Sequence, residues 1–396
     1  PNYQYYAGAS GVSEFDFYAN DDNFGLLDDD ESATRGGYDL PIGRFPCTTV
    51  SEATNMVDKS IRYTEQRNLL SDNSTQISNL GDWRNVMAFV ADDEQMDFIQ
   101  DAESFYGIVD TTNSNINFDK IYLDAFQQVS NAGGQRYPEV TAAINSRMNR
   151  GCLMMTYVGH SGKDGWAAER VLENSDISRW SNYYNLPFLF SLSCTFSYYD
   201  RPSWSPAELA ILNNKGGAAA VLSASRESWS LSNADYGKKL FQKIFSQTEN
   251  RYPTVGELNI QSKNDKGGAI TSLAMYVLLG DPSMPLAIPR YHFVTDSINH
   301  VSVTQQLDTV RALSKVTVSG RVVDDNGQTL TDYNGSVFPS VFDKKMKTST
   351  LANDPGCEPY DFYTQKSMLF RGNATVRNGH FTFSFYVPKD IDYSFG

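Results

Sequence analysis

The 396-residue chain carries 33 Lys and Arg against 47 Asp and Glu, a formal charge of −14, with 40% hydrophobic residues and 23 each of Tyr and Phe. That balance excludes a disordered chain, and because the basic residues are scattered it excludes a nucleic-acid partner as well. No run of about 20 apolar residues offers a membrane-spanning helix, and the length predicts a core domain with a smaller companion.

The chain opens at Pro1 without Met and ends at Asp392–Gly396 inside a strand-like stretch, so it reads as a piece of something longer. Asp21, Asp22, Asp28, Asp29, Asp30 and Glu31 form an early acidic run. It is read either as a structural calcium site or as a solvated loop, and it lacks the spacing and glycine of an EF-hand. Thr49 and Glu52 then make a capping box ahead of Val50, Ala53, Val57 and Ile61, which share one helical face.

Four apolar runs follow, Asn85 to Ala91, Cys152 to Val158, Pro187 to Leu192 and Ala218 to Leu222, each read as a buried parallel strand. Helical patterns separate them. Tyr137 to Arg150 carries Val140, Ile144 and Met148 and stops at Gly151; Ser205-Pro206-Ala207-Glu208 opens another helix, with Gly216 as its end. This alternation predicts an α/β fold with a mostly parallel sheet flanked by helices over residues 1–294. From residue 295 the texture changes to short alternating stretches, such as Val316–Val323 and His380–Val387 with turns at Asp324–Gly327 and Asn378-Gly379, which predicts an all-β immunoglobulin-like sandwich over 295–396.

In open parallel sheets, reactive groups collect at the carboxyl ends of strands. Two strand ends here carry them: Gly159-His160-Ser161-Gly162 after the Cys152 run, and Ser193-Cys194-Thr195 after the Pro187 run. Neighbouring strands would bring His160 and Cys194 to one crevice, where an imidazolium favours the thiolate. Amides following both residues can face a developing oxyanion. The four cysteines, Cys47, Cys152, Cys194 and Cys357, are too few and too irregular for a disulfide framework or a zinc site, and no metal is required. Cys152 reads as an apolar filler, Cys47 and Cys357 as structural or incidental. A serine nucleophile at Ser161 or Ser193 would need a Gly-x-Ser-x-Gly elbow, which neither has.

Ile42-Gly43-Arg44-Phe45-Pro46, Tyr157-Val158-Gly159-His160 with Trp166, Cys194 after its strand, Ser228-Trp229 and Leu279-Gly280-Asp281-Pro282-Ser283 together resemble the gingipain family of cysteine peptidases, in the same order along the chain. The resemblance implies a caspase-like α/β domain followed by an immunoglobulin-like one. It also implies Cys194 as nucleophile, His160 as its proton partner, the amides of Ser161 and Cys194 as oxyanion hole, and Trp166 and Trp229 against substrate. The family's acid that orients the histidine follows an earlier strand. Asp93 takes that place, with Asp92, Glu94 and Glu169 as alternatives. Ser161 departs from the family's usual Gly-His-Gly.

Within the family, the runs Asp119–Asp124, Gly133–Val140, Gly165–Leu172 and Cys194–Glu208 look like the surface sortases of the type IX secretion system. That likeness implies cargo with a C-terminal sorting domain, the outer-membrane barrel PorV with other attachment-complex subunits, and anionic lipopolysaccharide as partners, at the outer-membrane surface of a Gram-negative bacterium. No cofactor is implied. The other readings are a secreted endopeptidase and a non-catalytic scaffold of an attachment complex.

Overall fold

The computed structural model describes residues 2–5, 17–29, 31, 37–65, 81–113, 115–265, 273–305, 310–354 and 356–391. Asp30 and Asp392–Gly396 lie outside the described residues. The chain divides into one unit of residues 1–287 with Ser349–Asp361 and a second of 288–348 with 362–396. This division differs from 1–294 and 295–396 at two points. The stretch from His292 already pairs with a strand of the second unit, and the short excursion Ser349–Asp361, which has no periodicity to read, belongs to the first.

The first unit is built on six strands: β1 (Val86–Ala91), β2 (Asn117–Tyr122), β3 (Met154–Val158), β4 (Phe188–Leu192), β5 (Ala220–Ala224) and β6 (Tyr276–Leu279). Their order is β6-β5-β4-β3-β1-β2, and all pairs are parallel except β5 with the antiparallel edge strand β6. The four apolar runs seen in the sequence are β1, β3, β4 and β5. The two outer strands were not among them, because β2 mixes Asp119 and Lys120 with apolar residues and β6 has only four.

Alternation along the strands separates two cores. Ala88, Val90, Met155, Tyr157, Leu189 and Val221 face helices α1 (Val50–Thr64), α3 (Pro138–Arg150) and α4 (Pro206–Leu212). On the other face Phe89 and Phe190 meet Phe241, which stacks on Phe105. Those rings come from α2 (Met96–Thr112) and α5 (Ser230–Lys243), and α6 (Val255–Asn264) packs beside α5. Each of these fully buried aromatics contributes roughly 1.5–3 kcal/mol by leaving water.

The capping box at Thr49 and Glu52 is present, but the face expected to be buried is not. Val50, Val57 and Ile61 are exposed, and Met56, Lys59 and Tyr63 turn inward. Lys59 is the reason. Its Nζ donates to the carbonyls of Ile211 (2.8 Å) and Asn213 (3.1 Å) at the end of α4, where unpaired carbonyls and the helix dipole favour a cation. Burial pulls its pKa down to about 7. The helix opened by Ser205 has its reciprocal cap but stops at Leu212 with Asn213 as C-cap, ahead of Gly216.

Two buried ion pairs brace the first unit. Lys263 reaches Asp22 at 2.5 Å, and Arg226 grips Asp200 at 2.6 and 2.8 Å while lying over the Tyr198 ring. At the β6 edge, Arg44 runs alongside Leu279: its N–H donates to Leu278 O (2.9 Å), and the Gly280 N–H donates to its carbonyl (2.9 Å). A Cβ at Gly43 would meet Gly280 O at 2.4 Å, so the glycine permits this approach.

The second unit is antiparallel. β7 (His292–Ile298) pairs β8 (Lys315–Val323), which pairs β9 (His380–Tyr386), within a six-stranded sheet. Asn378 (φ 49°) and Gly379 (φ 77°) form the two-residue turn into β9, matching the positive φ values that such hairpins require. Its buried face carries Val322, Val337, Val376 and Phe381.

Candidate active site

β3 and β4 are hydrogen-bonded neighbours in parallel register, with Val158 opposite Leu192. His160 and Cys194 each stand two residues beyond those partners, so the register delivers both to the same end of the sheet. The two loops are tied together. Trp166 Nε1 donates to Ser191 Oγ (3.0 Å), Ser191 Oγ meets Ser193 Oγ (2.7 Å), and Ser193 Oγ meets Ser161 Oγ (2.8 Å), which also contacts the Cys194 carbonyl. Ser161, the departure from Gly-His-Gly, thus holds the sulfur loop to the histidine loop.

Thr195 has φ 51°, an uncommon left-handed conformation for a branched residue. It is over-determined by its surroundings: Thr195 N–H donates to Arg226 O (3.0 Å) and Ser197 N–H to Ala224 O (3.0 Å). The turn leaves Cys194 half-buried, with Sγ against Ser228, whose N–H lies 3.4 Å and carbonyl 3.5 Å away. Burial pushes the Cys194 thiol up, the Ser228 N–H offsets part of this, and the Glu227 charge raises it further. Burial thus works against the thiolate that an imidazolium would favour. Iodoacetamide should therefore modify Cys194 slowly at pH 7 and faster, by about tenfold per pH unit, on raising the pH toward 9. Mass spectrometry of the peptide checks this; a rate flat from pH 6 to 9 would mean a preformed thiolate.

The carboxylate at the imidazole is Glu94. Its Oε2 is 3.3 Å from His160 Nε2, as is Gln95 Nε2, and Phe98 packs edge-on against the ring at 5.2 Å. Asp93, the acid chosen from the sequence, does not touch the imidazole: its Oδ2 accepts from Tyr137 Oη at 2.6 Å. Successive residues leaving β1 point to opposite sides, so choosing among Asp92, Asp93 and Glu94 required the backbone direction. Asp92 holds the main chain instead, accepting the His160 N–H at 2.7 Å and Tyr157 Oη at 3.0 Å. A Cβ at Gly159 would come 2.3 Å from Asp92 Cβ, so only glycine admits that carboxylate. Because the Glu94–His160 pair is nearly half exposed on both sides, its role is orientation more than energy.

Trp166, expected against substrate, is fully buried. It stacks on Tyr157 at 4.4 Å and on Phe196 at 5.4 Å, forming the floor beneath both loops. Trp229 is 61% exposed and its neighbour Leu231 84%; following Ser228, they stand where a substrate chain could lie. Cys152 is buried as expected, and burial drives its pKa up to about 12. Gln95 was not singled out in the sequence, because a polar residue in a loop carries no periodic signal; Ser228 entered only as part of the Ser228-Trp229 string.

Asp92, Asp93 and Glu169 are all buried, and their carboxylate oxygens lie within 4.8 Å of one another. Among the described residues Asp93 Oδ1 and Glu169 Oε2 have no hydrogen-bond partner. Burial raises Asp93 to about 6, with Asp354 adding to it, and burial with the Asp93 charge raises Glu169 to about 7. This is the donor chemistry of a hard cation or of shared protons. In the early acidic run Asp21 is instead bound by Arg44 (2.5 Å) and Asp22 by Lys263.

A profile of peptidase family C25 matches residues 1–287. The chain belongs to that family. It is a cysteine peptidase by membership, with a gingipain-like fold. The complex of Porphyromonas gingivalis RgpB pro- and mature domains aligns over 96% of this chain and 76% of its own at 16% identity, TM-score 0.57. The Arg-specific cysteine proteinase gingipain R aligns over 96% and 74% at 15% identity, TM-score 0.55. Dimeric latent PorU from Porphyromonas gingivalis is 22% identical over 99% of this chain and 30% of its own, TM-score 0.36. No curated protein matches the sequence.

Proposed function

We propose that this C25 peptidase is a cell-surface sortase, removing the C-terminal sorting domain of type IX secretion cargo and joining the new C-terminus to anionic lipopolysaccharide. The observation that carries this reading is where the sortase-like runs fall in the fold. Gly165–Leu172 builds the ribbon and the Trp166 floor under His160, Cys194–Glu208 begins at the sulfur, and Gly133–Val140 supplies Tyr137 to Asp93. Three of the four sortase-like runs thus reach the site, while the fourth, Asp119–Asp124, lies in and just beyond β2.

In this mechanism Cys194 Sγ attacks the cargo carbonyl while His160 takes the thiol proton. Amides beyond β3 and β4, at Ser161 and Cys194, face the oxyanion. His160 then protonates the leaving amine of the sorting domain, and a thioester remains. An acceptor amine attacks the thioester, His160 takes its proton, and the thiol is restored. Holding that amine nearer than water decides between transfer and hydrolysis.

An anionic acceptor needs local basic residues, and Arg170, Arg201 and Arg226 are the candidates: Arg226 is consumed internally by Asp200, and Arg201 is held by Asp164 and the carbonyls of Ser203 and Trp204. Arg170 remains 62% exposed, with Glu173 3.8 Å away. It is the one of the three placed to meet a glycan. No helix among the described residues is long and apolar enough to cross a membrane. PorV and other attachment-complex subunits are proposed as the partners at the surface.

The test is Cys194→Ala in the native host, with cargo read by mass spectrometry. Sorting domains retained on unanchored cargo support the proposal. Normally processed and anchored cargo overturns it, and rapid cleavage of short basic peptides by the full-length protein would favour a secreted endopeptidase instead.

A further inference from the structure

Ser349–Asp361 is flanked in sequence by strands of the second unit yet belongs to the first. Its anchor is the buried Asp124 at the end of β2. The Asp124 carboxylate accepts the N–H groups of Ala352 (3.0 Å) and Asn353 (2.8 Å) and the Asn353 side-chain amide (3.0 Å), while its carbonyl accepts the Leu351 N–H (2.7 Å). Ala352 adopts φ 53° to present these groups together. A carboxylate collecting three N–H donors is held by charge-assisted hydrogen bonds, the stronger kind.

From that anchor a relay of hydrogen bonds leads to the histidine. Asn353 Nδ2 also donates to Phe126 O (2.9 Å) and reaches Tyr137 Oη (3.3 Å). Tyr137 Oη donates to Asp93 Oδ2 (2.6 Å), the Asp93 N–H donates to Asp92 Oδ1 (3.0 Å), and Asp92 Oδ2 accepts the His160 N–H (2.7 Å). From the other side Cys357 Sγ approaches Asp93 O at 3.8 Å. The excursion therefore reaches Asp93 directly at its carbonyl and, through Tyr137, at its side chain. The next two residues, Glu94 and Gln95, are the ones that reach the imidazole.

We propose that Asn353 is a positioning residue for the peptidase reaction: through Tyr137 and Asp93 it fixes the loop that presents Glu94 to His160. The inference rests on the assignment of Cys194 and His160 as nucleophile and base. None of the excursion's described residues touches the reacting atoms. Its effect falls on the rate of the chemical step, through the fraction of time in which the imidazole faces the sulfur, rather than on substrate affinity.

The test uses the full chain and a peptidyl acyloxymethyl ketone, which alkylates a peptidase cysteine only when its base is in place. For Asn353→Ala the limiting alkylation rate should fall about tenfold, with the half-saturating probe concentration unchanged within about twofold. Tyr137→Phe, which removes one hydroxyl and keeps the packed ring, should do the same without endangering the fold. Either change combined with Glu94→Gln should be no slower than Glu94→Gln alone, since contributions along one relay do not add. Unchanged limiting rates in both variants, or losses that multiply with that of Glu94→Gln, overturn the proposal. A His160→Ala protein labelled at the wild-type rate would overturn it through the assignment beneath it, whereas abolished labelling in His160→Ala beside normal labelling in the two variants would refute the positioning alone.

Discussion

Cys194→Ala and His160→Ala are each expected to lower cleavage of fluorescently labelled casein by at least about 10³-fold, some 4 kcal/mol of transition-state stabilisation. The geometry gives the reason. Val158 and Leu192 are register partners, Ser161 ties the two loops, and a thiol that burial pushes up needs a base at the moment of attack. Cys47, whose thiol lies before α1, serves as a comparison, and Cys47→Ser should retain activity. Fold retention is checked by circular dichroism. Residual activity within tenfold of wild type in Cys194→Ala would remove the sulfur from the mechanism.

The second large effect concerns stability and pH. Asp93 and Glu169 have folded pKa values raised to about 6 and about 7, with burial as the first cause. A raised carboxylate pKa means that the folded state holds its protons more tightly than the unfolded chain does. The associated stability is fully present below pH 4 and is lost as pH rises through 6 and 7. In EDTA, the first unit should melt at a lower temperature at pH 8 than at pH 5. Glu169→Gln, which removes one of the crowded charges, should recover about 2 kcal/mol at pH 8 and leave pH 5 nearly unchanged. Because Asp101 is also raised, to about 6, the comparison with Glu169→Gln isolates the cluster. A melting temperature that is flat or rising over this interval, in both proteins, would contradict the assignment of repulsion at Asp92, Asp93 and Glu169.

Much of the central architecture was legible because its signals are local. Buried parallel strands must be apolar on both faces, which exposed β1, β3, β4 and β5, and reciprocal capping at Thr49 and Ser205 marks helix starts within four residues. Position at strand ends led to His160 and Cys194 for the same reason. What escaped depends on partners distant in sequence. Lys59 turned α1 over by capping α4, an interaction that no helical periodicity contains. Three acids in succession after β1 differ only in the direction each one points, so the sequence could offer Glu94 only as an alternative to Asp93, and the structure puts Glu94 beside the imidazole. Trp166 has the residue type of a substrate-binding ring, and only its stacking between Tyr157 and Phe196 makes it a floor.

The gingipain-like string Ile42–Pro46 lies beside β6, and that place gives it a purpose. A sheet that ends in an open strand offers a row of unpaired donors and acceptors to any passing chain. Here Arg44 occupies that row at Leu278 and Gly280, and its guanidinium is fastened to Asp21 and laid over Tyr199. With prolines at 41 and 46 on either side, the added segment has no amide at those positions with which to extend the ladder. The molecule thus carries its own stopper against edge-to-edge aggregation, a property of use to any protein that must stay dispersed while its concentration is high.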